Sequence, residues 1–408
     1  MAGMGVELEE IFNSAISNSI FKNKAVLQAR YTPDSIPHRE NQIKSIASIL
    51  APSLRGERPS NLFIYGKTGT GKTLSVQYVR QELSKKAESL GVNVNFEYLN
   101  CKLKKVSDTE YRILAALIKG LGGEVPATGL PTDQVWAKFI ELVDKKEQLI
   151  VFILDEIDQA VKKISDNFLY SMTRLNQELS NAQISLIGIS NDVTFLENVD
   201  PRVRSSLGEE EFVFPPYNAL QLQDILKERC SEAFKEGAIS EGVIAKCAAY
   251  AAREHGDARR ALDLLRIAGE LCERDNKDFI SEDYIDIANE KIERDKILDI
   301  VESEPKQFQL VLYAIMELTK VLKKRGEKTT FFTGDVYNLY QELCEKTKTD
   351  SLTQRRISDI LAEIDMLGLI NARVISKGRH GRTREIKLSI PNNLLDKVEF
   401  ILRESLGL

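Results

Sequence analysis

Lys72 and Thr73, directly behind glycines at positions 66, 69 and 71, are the residues of this chain best suited to hold a polyphosphate. In Gly66-Lys-Thr-Gly-Thr-Gly-Lys-Thr73, which also carries Thr68 and Thr70, the glycines let the backbone curl until successive N–H groups point inward. Lys72 would set its ammonium on the outer phosphates, and the Thr73 hydroxyl would ligate the Mg²⁺ that bridges them. Further along, Asp155 and Glu156 end an apolar run. Asp155 would hold the Mg²⁺ shell, and Glu156 would be the base that polarises an attacking water. Asn191 closes another apolar run, where it either hydrogen-bonds the terminal phosphate or the water, or simply forms a turn. Asp158 reads as a solvated residue at the next helix start.

These side chains converge only if a sheet brings them together. Leu62-Phe-Ile-Tyr65 reads as a buried parallel strand, and Val76, Val79 and Leu83 behind it recur at helical spacing, so the phosphate loop opens a helix with its positive end toward the anion. Leu149-Ile-Val-Phe-Ile-Leu154 is a continuous apolar run, the pattern of a parallel strand covered on both faces, and Ile184-Ser-Leu-Ile-Gly-Ile-Ser190 reads as another buried strand; ligands bind at the C-terminal ends of such strands. Val92 to Asn100 alternates like a further strand. Between it and the central strand, two helical patterns (Ile113, Leu114, Leu117, Ile118; then Val135, Trp136, Phe139, Ile140, Val143) exceed what a crossover needs. Upstream, the two prolines of Tyr31 to Glu40 force an extended path. Ile36, Pro37 and Arg39 there either line an adenine pocket or merely lead into a helix, with Arg39 in water.

The remaining chain divides by composition. Residues 1–25 are expected to be a loosely held arm and 26–207 an α/β base. The segment Glu209 to Tyr217, stiffened by Pro215-Pro216, is expected to connect to a helical lid at 208–296, with helices near Leu220–Arg229, Gly242–Glu254 and Ala258–Leu271. Arg259, at the start of the third, either reaches back to a phosphate or is a solvated arginine on a capped helix. The charged stretch Glu290 to Lys296 connects to residues 297–408. There Thr353 caps a third helix whose early outward turns carry Gln354, Arg355, Arg356 and Ser358. Strands Ile370–Ser376 and Arg384–Ile390 flank Lys377-Gly-Arg-His-Gly-Arg-Thr383. Three helices and a basic hairpin make a winged-helix plan: the third helix would enter a major groove, and the hairpin, with Lys377, Arg379, His380, Arg382 and Arg384, would touch phosphates or a minor groove. Winged helices also serve as protein-docking modules.

The whole composition narrows the classes. With 43% hydrophobic and 29% charged residues in 408, the chain can fill two or three globular cores. A net charge of −5 does not advertise nucleic-acid binding, so any DNA contact must be local; Arg373, Lys377, Arg379, Arg382, Arg384 and Lys387 face only Glu385. The five cysteines are scattered without a Cys-x-x-Cys pair, and three histidines cannot build a histidine-rich metal site. Neither a membrane span nor a secretory signal is evident, which points to a cytoplasmic protein.

Gly66 to Thr73, Leu154-Asp-Glu-Ile-Asp158, Asn191, Gly256-Asp-Ala-Arg259 and the terminal winged helix together resemble the AAA+ initiator family of the archaeal origin-recognition and cell-division-control type. The resemblance implies ATP/ADP and Mg²⁺ as ligands, double-stranded origin DNA and the replicative helicase as partners, and a possible paralogous initiator on the DNA. It implies that Asn191 is a first sensor and Arg259 a second, and that Tyr217 and Arg229 contact the nucleotide. It also implies that the insertion from about Lys102 to Pro131 touches DNA, with Thr128, Gly129, Leu130 and Pro131 as the candidate loop. One departure stands out: where many relatives carry an arginine that acts in trans on a neighbour's ATP, this chain has Ser206, so Arg204 or Arg202 would have to substitute and turnover should be slow. The expected function is an ATP-dependent replication initiator. The rival classes are a fast-cycling clamp-loader or remodelling ATPase, and a DNA-binding regulator whose ATPase fold is structural.

Overall fold

A computed structural model describes residues 19–28, 31–33, 35–102, 109–126, 129–376 and 382–408; for positions 376 and 382 it describes the backbone alone. The chain divides into two compact units, 1–286 and 287–408.

The first unit is built on five parallel strands, β1 (Leu62–Tyr65), β2 (Val94–Asn100), β3 (Gln148–Asp155), β4 (Ala182–Ser190) and β5 (Glu210–Val213), in the order β2-β3-β4-β1-β5. The continuous apolar runs follow from burial on both faces. Along β3, Ile150, Phe152 and Leu154 enter one core while Val151 and Ile153 enter the other. Helices α1 (Glu40–Leu50) and α2 (Lys72–Leu90) cover the second face through Ile46, Leu50, Val76, Val79 and Leu83. The first face is covered by α3 (Glu110–Gly120), α4 (Thr132–Val143), α5 (Ile157–Ile164), α6 (Asn167–Arg174) and α7 (Pro201–Leu207). Both helices of the predicted insertion therefore contribute to the core, with Ile113, Leu117, Val135 and Phe139 buried.

The lid follows as α8 (Ala219–Ala233), α9 (Glu241–Arg253) and α10 (Ala258–Arg274), each near its expected position. Side chains at all three starts accept backbone N–H groups: Asn218 from Gln221, Ser240 from Val243, and Asp257 from Arg259 and Arg260.

Three expectations need correction. The stretch from Glu210 to Val213 is not part of the connector but the fifth strand, paired along β1, so the base sheet extends beyond Leu207; four mostly exposed residues that open with two glutamates give a weak strand signal. The charged stretch 290–296 lies inside the continuous helix α11 (Glu282–Ser303), since Glu, Lys, Arg and Asp side chains are compatible with a solvated helix face. The described end of the expected arm, residues 19–25, is packed on the lid: Phe21 stacks on Phe234 with ring centroids 4.9 Å apart, and Lys22 N–H donates to the Ala233 carbonyl at 2.8 Å.

The second unit has its own core, centred on α12 (Lys306–Lys324), with Phe308, Val311, Leu312 and Ile315 buried. Around it pack α13 (Thr333–Lys346), α14 (Gln354–Met366), α15 (Leu395–Leu406) and an antiparallel sheet of β6 (Phe331–Phe332), β8 (Arg382–Leu388) and β7 (Ile370–Ser376) in that order. The second hairpin strand begins two residues earlier than predicted. No helix among the described residues is long and apolar enough to cross a membrane.

Candidate functional site

The phosphate loop, the ends of β3 and β4, and the lid helices α8 and α10 together line a cavity of about 360 Å³ in the first unit. Thr68, Gly69, Thr70, Gly71, Lys72, Thr73, Asp155, Glu156, Asn191, Tyr217, Arg229, Arg259 and Ile36 all reach it. Side chains as far apart in sequence as Lys72 and Asn191 meet there because β4 lies between β3 and β1 and all three are parallel, so their C-terminal ends share one edge.

Lys72 is buried and its ammonium is folded onto its own loop. It donates to the Gly66 carbonyl at 2.7 Å, the Lys67 carbonyl at 2.8 Å and Asn191 Oδ1 at 2.8 Å. Burial lowers its pKa to about 8; nearby Arg259 pushes the same way, and Asp155 opposes. Helix α2 starts at Gly71 with no side-chain cap, leaving its first N–H groups for an anion. Arg229 is 8% exposed, and its Nη1 has no hydrogen-bond partner among the described residues, while its guanidinium carbon lies 4.8 Å from the centroid of the Tyr31 ring. Two facing cations, an uncapped helix end and an orphaned buried guanidinium nitrogen are what a polyanion would satisfy, so the residues present fit a nucleotide.

The metal position passes the same test. Thr73 Oγ1 donates to Asp155 Oδ2 at 2.9 Å, which leaves the threonine lone pairs free for a cation beside a buried carboxylate. Asp155 is held further by the Tyr98 hydroxyl at 2.8 Å and by Glu156 N–H at 3.0 Å. Burial and the adjacent carboxylate raise the Tyr98 phenol, keeping it a donor. Glu156 itself adopts a left-handed conformation, φ 54° and ψ 43°, which costs roughly 1–2 kcal/mol for a residue with a Cβ. Its carboxylate lies 3.5 Å from the Lys102 ammonium.

The lid touches the loop directly. Ala258 N–H donates to the Gly69 carbonyl at 3.2 Å, and a Cβ at Gly69, where φ is +71°, would collide with the Asp257 carboxylate. This contact sets Arg259 on the loop side of α10.

Several readings change. Arg39 does not line the cavity and is not in water. It is 1% exposed behind the loop, donating to the Thr70 carbonyl at 2.8 Å and the Pro215 carbonyl at 2.6 Å, with its guanidinium 3.9 Å from the Tyr217 ring centroid. Desolvation lowers its pKa. Nor is Asp158 solvated. It is 2% exposed and accepts Ser190 Oγ at 3.1 Å and Asn191 N–H at 3.3 Å, which fixes the asparagine that meets Lys72. Gly66 stays behind the cavity, where a Cβ would strike the Phe214 carbonyl. Of the two arginines near Ser206, Arg202 is bound to Asp200 at 2.9 Å and lies over Tyr170, whereas Arg204 is exposed with no ion pair among the described residues.

In the second unit a separate concavity of about 480 Å³ lies between α14 and the hairpin, lined by Gln354, Arg355, Ser358, Val374, Thr383 and Arg384 among others. Arg384 donates to the Ser358 carbonyl, tying strand to helix. Thr353 caps α14 by accepting Arg356 N–H at 3.5 Å, and the Arg356 side chain lies exposed, 3.7 Å from Asp359. Lys377, Arg379 and His380 fall outside the described residues, as does Thr128; the Arg382 side chain is likewise not described. Of the candidate loop in the insertion, Gly129 and Pro131 are exposed, while Leu130 packs against the base core.

A parallel sheet carrying a phosphate loop, a helical lid closing over it and a winged helix define the class: an AAA+ P-loop NTPase with a terminal winged helix. Residues 55–194 match the AAA domain, 223–290 the Cdc6 AAA+ ATPase-type lid domain and 299–398 the CDC6 C-terminal winged helix domain. The chain belongs to the family of ORC1-type DNA replication proteins. It is 51% identical to ORC1-type DNA replication protein 1 of Methanosarcina mazei over 94% of this chain and 91% of that one. It is 50% identical to the ORC1-type DNA replication protein of Pyrococcus furiosus over 98% and 93%. A solved structure of the Aeropyrum pernix ORC1 protein in complex with DNA superposes with a TM-score of 0.84 at 43% identity, covering 94% of this chain and 97% of that one.

Tyr98, Asp158, Asp257 and the aromatic face of Tyr31 are site residues that sequence reasoning missed. Tyr98 left one signal, its place near the C-terminal end of a predicted strand; that this strand neighbours β3, with Asn100 opposite Asp155, is a property of the pairing.

Proposed function

We propose that this chain is an ATP-dependent replication initiator that binds origin duplex DNA and helps recruit or load the replicative helicase, with slow hydrolysis acting as a switch. The observation that carries the reading is the seating of α10 on the phosphate loop through Ala258, Asp257 and Gly69. Any anion in the loop is sensed by the lid within one helical turn.

Lys72 would turn from its loop carbonyls to the β- and γ-phosphates, and Thr73 with Asp155 would hold Mg²⁺. The bound Mg²⁺ would supply positive charge that offsets the charge developing on the transferred phosphoryl group. Asn191, kept in place by Asp158, orients the terminal phosphate or the water, and Glu156 accepts the water's proton. Arg229 and Arg259 meet the phosphates from the lid, and Tyr217 and Ile36 border the base. Without an arginine at Ser206, stimulation from a neighbour would fall to Arg204, since Arg202 is already committed to Asp200. Slow turnover and long-lived nucleotide states follow.

DNA contacts belong to Gln354, Arg355, Arg356, Ser358 and Arg384 around the second concavity, with Thr353 contributing mainly as a cap. Lys377, Arg379, His380 and Arg382 of the hairpin and the loop Thr128 to Pro131 complete the set. We place the end of the base at Val213, the lid after it and the winged helix beyond the split within α11. The protein works in the cytoplasm on the nucleoid, alone or paired with a paralogue.

The test is footprinting on the host's own origin segments and on random duplex, with ATP and with ADP. Preferential protection of origin DNA that changes with the nucleotide is expected. Equal affinity for random duplex overturns the initiator reading. Rapid steady-state turnover would favour a motor, and DNA binding indifferent to nucleotide would favour a regulator.

A further inference from the structure

Asp155 is 4% exposed and takes three hydrogen bonds, from Glu156 N–H on Oδ1 and from the Thr73 and Tyr98 hydroxyls on Oδ2. Thr73 has one hydroxyl hydrogen, and it must point at Oδ2 for the oxygen's lone pairs to face a metal. That demands a carboxylate fixed in rotation about its Cβ–Cγ bond. Glu156 N–H restrains the far oxygen only from the adjoining peptide. The second restraint on Oδ2 comes from Tyr98, which approaches from a different strand.

We propose that Tyr98 is a positioning residue for the divalent cation: its hydroxyl holds Asp155 so that Thr73 offers its lone pairs to the metal. The assignment rests on the reading of Thr73 and Asp155 given above. Tyr98 suits the task because its own position is set by the sheet. It lies on β2, whose register with β3 brings Asn100 opposite Asp155. Its ring packs against the core beneath α2, while its hydroxyl end borders the cavity. A carboxylate around a metal is commonly oriented by such an outer donor, and losing the donor weakens metal binding by roughly tenfold or more.

Tyr98→Phe keeps the ring and removes the donor. Binding of fluorescently labelled ADP to the full chain is measured in EDTA and then against a MgCl₂ series. The expected result is ADP affinity in EDTA within about twofold of the unsubstituted protein and a Mg²⁺ midpoint raised roughly tenfold. An unchanged midpoint overturns the proposal, and so does an equal loss of affinity with and without Mg²⁺, because a purely structural role predicts that. Asp155→Asn is run in parallel. If it also leaves the midpoint unmoved, the metal reading of Thr73 and Asp155 fails; if it shifts the midpoint and Tyr98→Phe does not, only the tyrosine assignment fails.

Discussion

Lys72 sits in a position that makes its charge conditional. With its pKa lowered to about 8 by burial and by Arg259, the Lys72 ammonium loses its proton near that pH in the nucleotide-free protein. A polyphosphate raises the pKa again, so binding takes up a proton wherever the free lysine is neutral. ADP affinity should therefore be level between about pH 7 and 8 and fall by about tenfold per pH unit above it. Calorimetry at pH 8.5 in buffers of different ionisation enthalpy should record proton uptake, and a smaller uptake at pH 7.5. Asp158 makes a second case at this scale. Its loss leaves Asn191 N–H without its acceptor, while Ser190 Oγ keeps the Asp192 carbonyl, so Asp158→Ala should cost about 1–3 kcal/mol in urea unfolding. The same variant should slow hydrolysis more than it weakens ADP binding, because it frees Asn191 while the other partners of Lys72 and Thr73 stay in place.

At the scale of elements, the decisive contact is between a loop and a helix start. Gly69 has no room for a Cβ, because Asp257 of the α10 cap occupies it, and its φ of +71° favours glycine. Gly69→Ala should therefore push α10 off the loop and weaken ADP binding roughly tenfold. Hydrogen exchange over residues 257–262 should quicken in the same variant; unchanged protection there would mean that the lid does not rest on the loop. In the second unit, Arg355 is exposed at the edge of the concavity between α14 and the hairpin. Arg355→Ala should take about one unit from the slope of log affinity against log salt. A slope that stays put would remove it from the phosphate contacts.

For the whole molecule, the relevant fact is that residues 287–408 possess their own core, from Val301 to Leu406. A fragment from 282, which keeps α11 intact, should melt cooperatively by circular dichroism and still bind duplex with strong salt dependence. Its binding should be blind to ATP and ADP, which separates the grip on DNA from the nucleotide response. A fragment whose affinity equals that of the full chain under every nucleotide would show that the first unit adds nothing to recognition.

Much of this was legible in the residues alone. The glycine pattern ending in Lys72-Thr73, the apolar run ending in Asp155-Glu156 and the helix spacing of the lid and winged helix depend on neighbours a few positions apart, and local backbone geometry is written in such spacings. What the tertiary structure decided was pairing and burial. That Glu210 to Val213 completes the sheet, that Arg39 braces the loop from behind and that Asp158 holds Asn191 all depend on contacts between segments distant along the chain. A charged side chain reads as solvated until the fold closes over it. Whether it then serves the ligand or the scaffold is set by which strand lies beside which, and no periodicity records that order.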